Sequence, residues 1–219
     1  MERSRIAIVI PVYNEQETVV GVVNEAKKYG DIILVDDNST DNTYKLLKNE
    51  NIKILRNSKN IGYEKSLYIG FKNATKTNYE IIVSIDGDGQ HPIKFIPLFI
   101  RYLDKGADLV VGNRSKKQRL GEYLFSFFFN IISGIKDPLC GMKAFKTKIY
   151  SEKKFPFFTS IGSEILTYCI AKNKKIRQIN INTEARLGKS RFGKSILNEL
   201  IITASFLKSI FFLIYWRLF

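Results

Sequence analysis

The sequence predicts an α/β fold in which a mostly parallel β-sheet is flanked by helices. In the first 112 residues, short and continuously apolar runs alternate with longer stretches of helical length. Because the runs contain no alternating polar positions, each predicted strand should be buried on both faces, which is typical of parallel sheets. The runs lie at 6–10, 32–35, 52–55, 81–85 and 109–111, and the helical stretches at 15–29, 41–49, 63–76 and 92–105.

Beyond residue 113 the pattern is less regular but continues the same fold. A basic loop precedes an apolar stretch at 123–135, followed by a predicted strand at 141–146, a helix at 163–173 and a strand at 176–181. A second basic loop leads into an apolar tail. Because 219 residues without a linker-like segment suit one core, we expect a catalytic domain over residues 1–195 and a separate membrane-associating helix over 196–219.

The tail is predicted to form an amphipathic helix that lies on a membrane. Its only charged residues are Glu199, Lys208 and Arg217. A helix over 200–216 would extend about 25 Å, slightly less than the roughly 30 Å hydrocarbon core of a bilayer. A core helix and a marginal transmembrane span are the alternatives. On a helical projection, one face collects Leu200, Ala204, Leu207, Phe211, Ile214 and Leu218.

Composition excludes several classes of protein. Apolar residues make up 45% of the chain, which is too many for a disordered protein. The two cysteines, Cys140 and Cys169, are too few for a disulfide scaffold, and together with the one histidine they argue against a Cys/His zinc site. The first apolar run is too short for a signal peptide. We therefore expect reduced cysteines and a location on the cytoplasmic side.

Charge is distributed unevenly along the chain. Residues 1–110 contain 15 Lys and Arg against 15 Asp and Glu, whereas residues 111–219 contain 20 against 6, which accounts for the net charge of +14. A basic half indicates a polyanionic partner. Its aromatic residues occur in blocks, whereas nucleic-acid binders place them singly among basic residues. We therefore expect an anionic lipid surface, no nucleic acid and no obligate protein partner.

Polar residues cluster where three of the predicted strands end. The clusters are 11–15, 36–41 and 86–91. Ligands of parallel sheets bind beyond the carboxyl ends of the strands, so the three clusters should form one site. In the second cluster we expect Asp37 to contact the ligand and Asp41 to cap the following helix.

The third cluster is predicted to bind a metal ion. Asp86 and Asp88 are two residues apart and separated by glycine, so both carboxylates can approach one hard cation, with the Gln90 carbonyl as a further ligand. The alternative is a turn that caps the next helix. His91, inside this cluster, is expected to support the site structurally.

The segment 188–195 matches the expression for a phosphate-binding P-loop. A P-loop follows the first strand of its domain and needs an aspartate elsewhere to help hold Mg2+. This copy lies near the end of the sequence, with no aspartate after Asp137. We expect instead a loop that closes on phosphates. A P-loop ATPase and a non-catalytic basic binding module remain the alternatives from other classes.

Taken together, seven motifs in a fixed order resemble those of a known family. They are Ile10–Glu15, Val35–Asp41, Asn60–Gly62, Asp86–Pro92, Gly112–Arg114, Asp137–Lys143 and Gly188–Arg191. This set resembles the family 2 glycosyltransferases of the GT-A fold, and within them the dolichyl-phosphate (polyprenyl-phosphate) mannose or glucose synthases. The resemblance implies a metal-dependent, inverting hexosyltransferase that uses a nucleotide-diphosphate sugar, Mg2+ or Mn2+ and a polyprenyl phosphate at the membrane surface.

The resemblance also implies roles for individual residues. Those expected to bind the nucleotide sugar are Pro11, Tyr13, Glu15, Asp37, Asp86, Arg114, Lys189, Ser190 and Arg191. Asp86, Asp88 and Gln90 match the metal motif, which here reads Asp-Gly-Asp where Asp-Ala-Asp is usual. The catalytic candidates are Asp88, Arg114 and Asp137.

The choice of acceptor decides whether a general base is needed. A lipid phosphate is already an anion near neutral pH, because its second pKa is about 6. It therefore needs no strong base. A saccharide or glycolipid hydroxyl would need one, and Asp137 is the candidate.

Overall fold

The computed structural model describes residues 5–115, 120–152, 160–183 and 196–218. Within these ranges the strands are β1 (Ile6–Val12), β2 (Asp31–Asp36), β3 (Lys53–Arg56), β4 (Ile81–Ser84), β5 (Leu109–Arg114), β6 (Lys143–Lys146) and β7 (Ile176–Ile181). They form one seven-stranded sheet in the order β3-β2-β1-β4-β6-β5-β7. Every apolar run that the sequence predicted as a strand is part of this sheet.

The described helices cover the sheet. They are α1 (Val19–Ala26), α2 (Thr43–Leu47), α3 (Tyr63–Thr75), α4 (Ile96–Asp104), α5 (Leu120–Ser133), α6 (Thr147–Ser151), α7 (Ile161–Ala171) and α8 (Ile196–Leu218). A short 3-10 turn, Ile93–Phe95, precedes α4. The helices α1 and α2 are shorter at both ends than the predicted stretches 15–29 and 41–49, and residues 13–18 and 37–42 connect them to the preceding strands.

The sheet is mostly parallel, as the sequence predicts, but β6 is an exception. It runs antiparallel to both of its neighbours, β4 and β5. Its first residue, Lys143, therefore pairs with Ser84 at the carboxyl end of β4. The loop before β6 enters the sheet at the same edge at which β1, β2, β4 and β5 end. This reversal brings residues 137–143 to the predicted site.

Burial explains why the sheet is stable. All seven residues of β1 are buried, and this central strand pairs with β2 and β4. The cysteines Cys140 and Cys169 are free and buried, as the sequence predicts. They belong to the same apolar core as the central strands.

The C-terminal helix α8 packs against the rest of the fold along one side. Phe212 and Trp216 are buried, and the Trp216 indole lies edge-on to the Tyr168 ring of α7, with ring centroids 5.6 Å apart. Phe206 contacts Phe125 of α5 at 5.4 Å. Among the helices in the described ranges, none is long and apolar enough to cross a membrane.

Candidate active site

The residues predicted to bind the donor come from adjacent strand ends. Pro11 lies in β1, and Asp37 directly follows β2. The Asp37 N–H donates to the Val12 carbonyl over 2.8 Å, which continues the pairing of β1 with β2 past the end of the strand. Glu15 is buried, and its carbonyl accepts the N–H of Val19, the first residue of α1, over 3.0 Å.

The loops after β1 and β2 are held together by Asn14. Its backbone has a positive φ of 54°, which asparagine tolerates better than most residues. The Asn14 side-chain carbonyl accepts the N–H of Thr40 over 2.8 Å. Asp41 accepts the N–H of Thr43 over 2.9 Å at the start of α2. These hydrogen bonds therefore fix the two loops relative to each other.

Asp37 organises the segment after β3. One carboxylate oxygen accepts the N–H of Ile61 and the side-chain amide of Asn57, both at 2.9 Å. The other accepts the N–H of Gly62 over 2.8 Å. The motif at 60–62 thus ends against a buried carboxylate and leads directly into α3. Asp37 anchors this segment whether or not it also contacts a ligand.

The Asp86–Gln90 segment lies at the carboxyl end of β4. The Tyr63 hydroxyl donates to Asp86 over 2.6 Å, and the Asp86 N–H donates to Nδ1 of His91 over 3.2 Å. The buried Asp88 carboxylate accepts the Gln90 N–H over 3.1 Å. The two carboxylates are therefore fixed by the protein before any ligand arrives.

Close packing explains the glycine between the two aspartates. A Cβ placed on Gly87 would lie 2.5 Å from Cγ1 of Val12, so the usual alanine does not fit here unless the Val12 side chain moves. A Cβ on Gly141 would lie 2.8 Å from both carboxylate oxygens of Asp86. The loop before β6 thus rests directly on the metal motif.

The predicted metal ligands are suited to a divalent ion that would also bind a diphosphate. In the described part of the chain, no three His, Cys, Asp or Glu side chains gather as a protein-only metal site. Mg2+ sites that bind phosphates commonly use one or two carboxylates, with phosphate oxygens and water as the remaining ligands. Asp86, Asp88 and the Gln90 carbonyl are hard oxygen donors of the required kind.

The partly buried Arg114 forms an ion pair with the buried Asp137 beside this motif. Nε of Arg114 donates to Asp137 over 2.7 Å, and Nη2 donates to the other carboxylate oxygen over 3.0 Å. Nη2 also lies 3.3 Å from the carboxylate of Glu122 in α5. Burial opposes ionisation of Asp137, but the contacts with Arg114 hold its pKa below the ordinary value. Asp137 is consequently a weak base.

A second ionisable group, the partly buried Glu64, lies behind the site. Glu64 accepts the N–H of Ile161 at the start of α7 over 2.8 Å. Burial raises the pKa of Glu64 to about 7, although the Ile161 N–H and the nearby Lys143 lower it. Lys143 is itself buried, donates to the Cys140 carbonyl, and burial lowers its pKa.

The structure brings most of the predicted residues to one edge of the sheet. Tyr13 is half-buried in the loop after β1, while Lys189, Ser190 and Arg191 lie outside the described residues. The sequence did not point to Tyr63, Glu64 or Glu122, and it placed Lys143 at the end of the motif at 137–143 without a role. For Glu122 a signal existed, since it is the only charged residue of α5, a helix that is otherwise largely apolar. Nothing in the local pattern identified Tyr63.

A sequence model of the family described as glycosyl transferase family 2 matches residues 7–125. The chain is 30% identical over 206 residues to the UDP-N-acetylglucosamine–dolichyl-phosphate N-acetylglucosaminyltransferase of Methanococcus voltae, covering 78% of this chain and 81% of that protein. It is 27% identical over 226 residues to the dolichol-phosphate mannosyltransferase of Pyrococcus furiosus, covering 90% of this chain and 62% of that protein.

Among solved structures, the fold resembles glucosyl-3-phosphoglycerate synthase from Mycobacterium tuberculosis, crystallised with Mn2+, UDP and phosphoglyceric acid. The TM-score is 0.75 at 20% identity, with 96% of this chain and 78% of that chain covered. At this identity the similarity concerns the fold alone. It confirms the predicted sheet architecture.

Proposed function

Since the chain belongs to glycosyl transferase family 2, we propose that it moves a hexose from a nucleotide-diphosphate sugar to a polyprenyl phosphate. Two relatives support this choice of acceptor, because the names of both refer to dolichol or dolichyl phosphate. The reaction would take place at the cytoplasmic face of a membrane, with the catalytic residues within 1–195 and with 196–219 as a membrane-associating helix whose inner side completes the core.

The observation that carries this proposal is the ion pair between Arg114 and Asp137. A hydroxyl acceptor needs a general base whose pKa lies near the working pH. Asp137 accepts three hydrogen bonds from Arg114, two from the guanidinium and one from the backbone N–H, and its pKa is lowered, so it is poorly suited to remove a proton. A phosphate acceptor needs no such base because its oxygen is already ionised.

The remaining roles follow from charge. Asp86, Asp88 and Gln90 would hold Mg2+ or Mn2+, which when bound neutralises charge on the leaving diphosphate. Arg114 would face phosphate oxygens, since guanidinium groups suit such acceptors. Pro11, Tyr13, Glu15 and Asp37 would enclose the nucleotide, and Lys189, Ser190 and Arg191 would close over its phosphates.

The test is a panel of nucleotide sugars incubated with polyprenyl phosphate and Mn2+ or Mg2+, followed by lipid extraction. We expect a sugar-linked lipid from at least one donor. We predict that Asp88→Asn abolishes the product and leaves the thermal unfolding curve close to that of the wild type, because an amide replaces one carboxylate ligand. Wild-type turnover with unchanged metal dependence in this variant contradicts the metal assignment. Product formed only on saccharide or glycolipid hydroxyls contradicts the proposed acceptor.

A further inference from the structure

A buried lysine begins β6, beside the site. Lys143 is 4% exposed, and its strand lies between β4 and β5 in the sheet. Removal of an ammonium group from water costs several kcal/mol, whereas a methionine of similar length would fill the same space without that cost. The burial of this lysine therefore requires an explanation from the contacts that it makes. We refer to the residues that lead into it as the 137–142 loop.

The Lys143 side chain binds the loop that precedes it. Its Nζ donates to the Cys140 carbonyl. The next two carbonyls of the loop are also bonded, since the Ser84 hydroxyl donates to the Gly141 carbonyl over 2.8 Å and the Gly112 N–H donates to the following carbonyl over 2.9 Å. Three consecutive carbonyls are thus held by donors from β6, β4 and β5, and the donor from β6 is the ammonium group.

The same ammonium group lies against α3 and α7. A Cβ placed on Gly162 would lie 3.4 Å from Nζ of Lys143, so the ammonium group is next to the first turn of α7. In that turn the Ile161 N–H donates to Glu64 of α3 over 2.8 Å. Lys143 interacts electrostatically with both Glu64 and Asp137. It therefore connects the 137–142 loop with the two helices behind it.

The 137–142 loop makes two contacts on which the site depends. At its start, Asp137 accepts two hydrogen bonds from the Arg114 guanidinium. Near its end, the Gly141 backbone is so close to Asp86 that a Cβ there would lie 2.8 Å from both carboxylate oxygens. A shift of the loop would therefore move the guanidinium and disturb the Asp86 carboxylate together. Misplacement of reacting groups by about 1 Å can lower a rate by about 10²-fold.

We propose that Lys143 is a positioning residue, which fixes the 137–142 loop against α3 and α7 and thereby sets the place of Arg114 relative to Asp86. It acts through the loop and not by contact with a substrate. The inference deepens the proposed function and rests on it for the reaction, because transfer needs the phosphate groups of donor and acceptor at a fixed separation.

Hydrogen exchange tests the position of the loop without any ligand. The backbone N–H groups of Gly112 and Arg114 both donate into the loop, so their exchange rates, measured by NMR on the full chain, report whether it stays in place. We expect exchange to be at least about tenfold faster in Lys143→Met. The matched control is Lys146→Met at the other end of β6, where the side chain lies 3.8 Å from Asp108. The control should exchange as the wild type does.

Transfer kinetics provide a readout that a purely structural role would not change. Lys143→Met should lower kcat by about 10²-fold and change KM for the nucleotide sugar much less, whereas Lys146→Met should keep the wild-type values. If Lys143 acts through Asp137, the double variant Lys143→Met/Asp137→Asn should be at most about threefold slower than the slower single variant, because the two effects are then coupled.

Wild-type exchange rates in Lys143→Met overturn the proposal, and so do effects of the two substitutions on kcat that multiply. If Lys143→Met and the milder Lys143→Gln both lack a cooperative unfolding transition, Lys143 is required for folding and the positioning role is wrong. Faster exchange in the variant, together with a wild type that transfers no sugar to polyprenyl phosphate, contradicts the proposed function and leaves the positioning of the loop standing.

Discussion

Arg114 faces more negative charge than it carries. Asp137 accepts two hydrogen bonds from its guanidinium and Glu122 lies 3.3 Å away, so two carboxylates already neutralise the Arg114 charge, and Lys143 is close enough to interact with Asp137. Such a pair fixes the direction of the guanidinium, but it gives little net attraction for an anion. On the proposed function, the positive potential that attracts phosphates comes from other groups, which the basic half of the chain and a bound cation would supply.

At this site we predict that the acidic limb of the pH–rate profile belongs to the acceptor phosphate, near pH 6. Asp137→Asn should lower kcat/KM by about 10²-fold, since Arg114 loses its partner and shifts. The substitution should leave the acidic limb of the profile unchanged, because the pKa of Asp137 already lies below the ordinary value. The measurement is kcat/KM against pH for both proteins. Disappearance of the limb in the variant identifies Asp137 as the base and favours a hydroxyl acceptor.

Glu64 leads to a prediction about stability. Burial raises its pKa from 4.5 to about 7, so the folded state binds this proton more tightly than the unfolded state. Stability should therefore fall as the pH rises from 4.5 towards 7, by about 3 kcal/mol at most, and stay lower above it. Glu64→Gln keeps an acceptor for the Ile161 N–H and should remove this slope.

Urea unfolding at pH 5 and pH 8 checks this prediction. The Glu64→Gln variant should be more stable than the wild type at pH 8, while Glu64→Ala, which leaves the Ile161 N–H without its acceptor, should be less stable than Glu64→Gln at both values. Parallel pH dependences of the wild type and Glu64→Gln would show that Glu64 is not the group responsible.

At the scale of elements, α8 has one apolar side that is exposed and one that is buried. Phe211 is 62% exposed and its neighbour Phe212 is 8% exposed, which makes them a matched pair. We predict that Phe212→Ala lowers the free energy of unfolding by about 3–5 kcal/mol, whereas Phe211→Ala changes it by less than about 0.5 kcal/mol. Chemical denaturation of both variants measures the difference. Equal losses would mean that α8 does not pack as the structure has it.

Much of the fold could be predicted because a strand that is buried on both faces is recognisable in the sequence as a continuous apolar run. Continuous apolar runs identified β1, β2, β4 and β5, and the strand predicted at 176–181 is β7. The reversed direction of β6 could not be predicted, because the sequence of a four-residue strand does not indicate whether it pairs parallel or antiparallel to its neighbours. The helix predicted from residue 15 begins at Val19, with Thr18 as its N-cap.

The site was predictable to the extent that its residues follow strands. Asp37, Asp86 and Arg114 lie at strand ends, so topology alone brings them to one edge. Their partners come from helices. Tyr63 and Glu122 reach Asp86 and Arg114 through the tertiary packing of α3 and α5, which no local pattern specifies.

At the scale of the whole molecule, the two halves of the chain differ in charge. The first 110 residues are neutral in sum, and the rest carries the entire +14. The neutral half supplies β1 to β4 and the acidic loops, while the basic half supplies α5, α8 and Arg114. On the proposed function, an anionic donor would bind at the acidic loops through a cation, and the basic half of the chain would face the anionic acceptor.

The separation into a domain over 1–195 and a helix over 196–219 leads to the last prediction. Removal of residues 200–219 would strip Phe212, Leu213 and Trp216 from the core, where all three are buried. Losses of about 3–5 kcal/mol per large aromatic side chain are comparable with the whole stability of a domain, about 5–15 kcal/mol. We therefore expect the truncated chain to lose its cooperative thermal transition, or to unfold more than about 10 °C lower. The matched control is Leu200→Gln/Leu207→Gln/Phe211→Gln in the full chain, which removes exposed apolar groups only and should keep its Tm within a few degrees.

Differential scanning calorimetry compares the truncated chain with this control variant, and nucleotide-sugar binding is a second readout. A truncated chain with the wild-type Tm and full donor binding would instead establish residues 1–195 as an independent domain, with α8 as a removable attachment.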